Sequence, residues 1–117
     1  MTATLKTVSP VDGSVYVERP FADESDVAST LTTAVRAGEV WREVPIAERA
    51  ELCGCAVDTV VAAKDAIATE ITWQMGRPIR YAAGEIGGFE ERARHMIATA
   101  PKALGDIPAH EIAGFTR

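Results

Sequence analysis

Ile67-Ala68-Thr69-Glu70-Ile71-Thr72-Trp73-Gln74-Met75-Gly76-Arg77-Pro78-Ile79-Arg80-Tyr81-Ala82-Ala83-Gly84-Glu85-Ile86 decides how this chain is read. Ile67, Ile71 and Met75 recur every fourth residue, which puts them on one face of an α-helix. Gly76 stands where a helix can end in the left-handed conformation, and Pro78 follows as a stop. Beyond it, Ile79, Ala82, Ile86, Phe89, Ala93, Met96, Ile97 and Ala100 trace the stripe of a second, longer helix. Gly84, Gly87 and Gly88 weaken that helix by about 1 kcal/mol each relative to alanine, and close packing of another backbone would account for them. Pro101, Gly105 and Pro108 then break the pattern. The tail 105–117, with Ile107, Ile112 and Phe115, reads as an extended arm or strand.

The same periodicity continues upstream. Pro45 suits the first position of a helix, and Ile46, Ala50, Cys53, Val57, Val60 and Val61 follow at three- and four-residue steps. Lys64-Asp65 marks a short connection. Earlier still, Asp23 can cap a helix whose stripe is Val27, Leu31, Ala34, Gly38 and Trp41. That helix is expected over about 24–38, ended by Pro45. Two short β-prone runs flank Pro10-Val11-Asp12-Gly13 and predict a hairpin over 5–20, turning at Asp-Gly. The expected architecture is mainly α: an N-terminal β-hairpin, then about four packed helices over 23–104, all in 1–117 as a single partial domain.

Composition narrows the function. The 117 residues are 47% apolar and 25% charged, enough to form a core and too apolar for intrinsic disorder. A net charge of −5 with no basic cluster argues against binding nucleic acid or an anionic membrane. No apolar run approaches the ~18 residues of a membrane-spanning helix, and the first residues lack a secretory h-region. Two cysteines form no disulfide framework, as in a reducing compartment. A soluble, cytoplasmic protein is expected.

Candidate chemistry is sparse. Cys53 and Cys55 are the possible nucleophiles, but two residues apart on a helix they point roughly 200° from each other and cannot bond together. Cys53 shares the stripe of Val57 and Val60, so it is expected to be a small buried hydrophobe. With His95 and His110 far along the chain, no zinc spacing arises. His95 lies in Glu90-Glu91-Arg92-Ala93-Arg94-His95, a mixed-charge face better read as solvated than as acid–base machinery. Gly84-Glu85-Ile86-Gly87-Gly88 has neither a dinucleotide nor a Walker pattern, and no strand precedes it. Glu85, Glu90 and Glu91 lack a metal or glycosidase spacing. Trp41 and Trp73 are expected to anchor helix packing. No residue is assigned as catalytic, cofactor-binding or metal-binding.

The order of elements resembles the N-terminal segment of the aldehyde dehydrogenase superfamily. Ser9-Pro10-Val11-Asp12-Gly13, followed by Val15, is similar to that family's N-P-x-T-G opening. Asp26-Val27 through Ala37 to Trp41 resembles its first helix, and Pro45 with Glu48-Arg49-Ala50 its second. Gln74-Met75-Gly76-Arg77-Pro78 is similar to E-M-G-K-P, and Gly84-Glu85-Ile86 to G-E-V. The departures (Ser9 for Asn, Gln74 for Glu, Arg77 for Lys) fall at positions that are not catalytic in the family.

The resemblance implies an enzyme that oxidises an aldehyde to an acid with NAD or NADP. In that chemistry a cysteine thiolate forms a thioester, splitting one hard step into two. It also implies that nucleophile, base and cofactor turn all lie beyond Arg117. The segment alone is then expected to bind no cofactor and to be inactive, partnered by the remainder of a dehydrogenase or by itself. A stand-alone helical interaction or oligomerisation module is the competing expectation, and a small thiol enzyme using Cys53 a third.

Overall fold

The computed structural model describes residues 3–107 together with Ala113 and Gly114. Strands β1 (Thr4–Val8) and β2 (Val15–Pro20) form an antiparallel hairpin, followed by α1 (Glu24–Glu43), α2 (Ile46–Ala62), α3 (Lys64–Met75) and α4 (Ile79–Ala103). The expected hairpin-plus-four-helix architecture is the one observed.

Local chemistry builds each element. At the hairpin turn Gly13 adopts φ +76°, which glycine reaches without a Cβ penalty. Asp12 Oδ1 accepts from the Ser14 amide at 2.9 Å and its hydroxyl at 2.7 Å. Ser9, almost wholly buried, is satisfied: its amide donates to Ser14 O and its Oγ accepts from the Val11 amide. Pairing runs from Thr4↔Pro20 to Val8↔Val15, with an irregularity between Thr7 and Val8. Pro20 stands at the last pair, where its missing N–H costs least.

α1 opens with a full capping box. Asp23 Oδ1 accepts from the Asp26 amide at 2.8 Å, and Asp26 Oδ2 accepts from the Asp23 amide at 3.2 Å. The Asp26 amide, then the Ser25 hydroxyl, hold the Asp23 carboxyl below the usual carboxylate range. A depressed folded-state value stabilises above the unfolded value and is lost as pH falls through the folded one. Helicity of α1 should therefore hold at neutral pH and decline in acid, below the ordinary carboxylate range. Asp23→Asn, which keeps the acceptor oxygen without the titration, should flatten that decline; circular dichroism against pH checks both.

α1 runs five residues past its expected end at 38. Gly38 is helical and only weakens the helix; it does not stop it. The stop comes from Pro45, which forces Val44 into an extended conformation (φ −72°, ψ 131°). α2 and α3 are joined by Ala63 alone, so Lys64 and Asp65 open a helix and do not form a connection. α3 ends as expected, with Gly76 left-handed at φ +73°. Pro101 does not break α4, which continues to Ala103. Within a last turn, proline forfeits only one backbone bond, and the Leu104 amide closes the end on Ala100 O at 2.9 Å. Most of the tail 105–117, with His110, Ile112 and Phe115, lies outside the described residues; Ile107 is almost fully exposed.

The core is small. α4 packs on α2 and α3, and Val57, Ala68, Ala82 and Ile86 are buried there. The hairpin rests on the α3 end: Tyr16 stacks on Trp73 with centroids 5.7 Å apart and planes 5° from parallel. Trp73 is thus an anchor, though for a strand. α1 buries no residue. Its apolar stripe is intact and uncovered.

Candidate functional site

A groove of ≈ 260 Å³ opens where α2, the end of α4 and the end of α1 converge. Ile46, Ala50 and Cys53 form one wall, Met96, Ile97, Ala100 and Leu104 the other, with Trp41 at one end. Ile46, Ala50 and Cys53, and likewise Ile97, Ala100 and Leu104 with Met96 beside them, recur at three- and four-residue steps, so each wall is one helical face. Arg49 also lines it, and its Nε is the buried polar atom without a hydrogen-bond partner among the described residues.

Arg49 is not among the apolar residues that mark the α2 stripe. The signal was present: it stands three residues after Ile46 and four before Cys53, at the edge of the same face. Cys53 itself corrects an expectation. It is exposed, as is Cys55. α4 covers the α2 stripe at Val57, but one turn earlier the stripe becomes an open groove wall. Trp41, 41% exposed, likewise borders the groove and does not anchor a helix pair.

The other candidates remain apart. His95 lies with Glu91, Arg92 and Met96 in a shallow surface hollow. Glu90 accepts from Arg94 Nε at 2.9 Å while Arg94 Nη2 reaches Asp58 at 2.6 Å, tying α4 to α2. These partners raise the Arg94 guanidinium, Asp58 first. Glu85 pairs with Arg77 at 2.9 Å across the α3–α4 corner. Such exposed pairs contribute little individually. Glu70 accepts from Gln74 at 2.7 Å and from Tyr16 Oη at 2.8 Å. Gln74 and then Tyr16 lower the Glu70 carboxyl, and Glu70 in turn raises the Tyr16 phenol. That network supports the stacked hairpin. Among the described residues no group of three or more His, Cys, Asp or Glu could hold a metal ion.

The glycines of α4 also depart from expectation. A Cβ at Gly84 or Gly87 would meet nothing within 4 Å, and at Gly88 only the helix's own Arg92. α4 contacts its neighbours through Ala82 and Ile86, and Gly84 and Gly87 fall on other faces. The close approach occurs at Gly76, where a Cβ would stand 2.9 Å from Pro10 Cγ. Nor do these residues fit a dinucleotide: Gly84–Gly88 is interior helix with no strand leading into it, so no ring of free amides faces a phosphate.

The chain matches the aldehyde dehydrogenase family over residues 1–115. It belongs to that family. Similar proteins include the succinate-semialdehyde dehydrogenase [NADP(+)] of Deinococcus radiodurans, 30% identical over 68% of this chain and 17% of the relative. The 3,6-anhydro-alpha-L-galactose dehydrogenase of Streptomyces coelicolor is 27% identical over 92% of this chain and 22% of the relative. Solved structures agree. A 3,6-anhydro-L-galactose dehydrogenase in complex with NAP superposes with TM-score 0.83 and 25% identity, over 96% of this chain and 24% of that one. PnpE in complex with nicotinamide adenine dinucleotide gives 0.81 and 28%, over 92% and 23%. The chain therefore spans less than a quarter of the dehydrogenases it matches. The aldehyde dehydrogenase resemblance of the hairpin turn, the α1 and α2 starts, the Gly76 corner and Gly84-Glu85-Ile86 falls on one continuous fold.

Proposed function

We propose that this chain is the N-terminal helical segment of an NAD(P)-dependent aldehyde dehydrogenase that oxidises an aldehyde to a carboxylic acid. The observation that carries the reading is the superposition of nearly the whole chain on dehydrogenases solved with nicotinamide dinucleotides. The segment's own part is framework. Its hairpin, α3–α4 corner and helical seam hold a shape against which the rest of such an enzyme folds, and none of its residues is assigned to bond-making. The chemistry would come from a thiolate, a water-activating carboxylate and an oxyanion donor supplied by that remainder. Unpaired Cys53 and Cys55 support a reducing, cytoplasmic setting.

Purified chain mixed with semialdehydes and NAD or NADP should form no reduced cofactor, read spectrophotometrically. Measurable turnover would overturn the framework role. The coding sequence after Arg117 tests the family activity separately. An open frame carrying a strand–turn–helix and a later cysteine is expected, and its absence would remove the dehydrogenase reading.

A further inference from the structure

We draw no further inference here: the strongest candidate, the apolar groove between α2 and α4 with Arg49 Nε and the uncovered α1 face beside it, belongs to a chain that spans less than a quarter of the dehydrogenases it matches, and nothing in the structure shows what covers it.

Discussion

Ile86→Ala should destabilise the chain by about 2–4 kcal/mol, the usual cost of truncating a buried isoleucine to a methyl group and leaving part of the space unfilled. Ile86 is 3% exposed and sits one turn beyond Ala82, the most buried residue of α4, on the face that packs against α2 and α3. Few other side chains share the load. Among the described residues the apolar core is Val57, Ala68, Ala82 and Ile86, so no second layer relaxes into the gap. Folded domains are stable by only about 5–15 kcal/mol, and a core this thin belongs at the lower end. Thermal denaturation followed by circular dichroism should show a midpoint lowered by roughly 10–20 °C. An unchanged midpoint would mean that the α2–α4 and α3–α4 seam does not hold the fold.

Gly76→Ala should cost about 2–3 kcal/mol from two independent sources. At φ +73° a Cβ crowds the following carbonyl, a penalty of roughly 1–2 kcal/mol for an L-residue. The same Cβ would stand 2.9 Å from Pro10 Cγ and 3.1 Å from Pro10 Cβ, so either the hairpin turn or the corner must move, at roughly 1 kcal/mol more. The proline ring is stiff and cannot swing aside. Gly13→Ala is the matched control. It shares a positive φ of 76°, yet a Cβ there meets nothing within 4 Å. Chemical denaturation of the two variants should therefore differ by the contact alone, with Gly76→Ala the less stable. Displacement of the hairpin should also loosen the Tyr16–Trp73 stack, visible as a change in tryptophan fluorescence.

Gly76 also illustrates how much was legible beforehand. Its role as a helix terminator was readable from position alone, because the left-handed conformation is a property of one residue and its immediate neighbours. The same holds for the Asp23 cap, the Asp12-Gly13 turn and the stop imposed by Pro45. The second function of Gly76, making room for Pro10, was invisible. Sixty-six residues separate the two, and nothing local announces the approach. The family was legible for a related reason: its short motifs mark these same turns and caps, where local geometry restricts which residues fit.

Burial behaved differently. Cys53 and Val57 lie on one stripe of one helix and are equivalent by spacing, yet Val57 is buried and Cys53 exposed. Gly84 and Gly87 suggested a helix crossing, and the crossing instead uses Ala82 and Ile86. Arg49, a charged residue beside the apolar stripe, lines the groove. The α1 stripe is as regular as any in the chain and covers nothing.

Periodicity, caps and turn chemistry thus specify where each helix and strand begins, ends and presents its apolar face. They depend on contacts within four residues, and the chain order alone supplies those. Which stretch of each face is covered, and by what, was decided only when α4 settled across α2 and α3 and left α1 outside. Burial is a property of pairs of distant surfaces, and no local pattern encodes it.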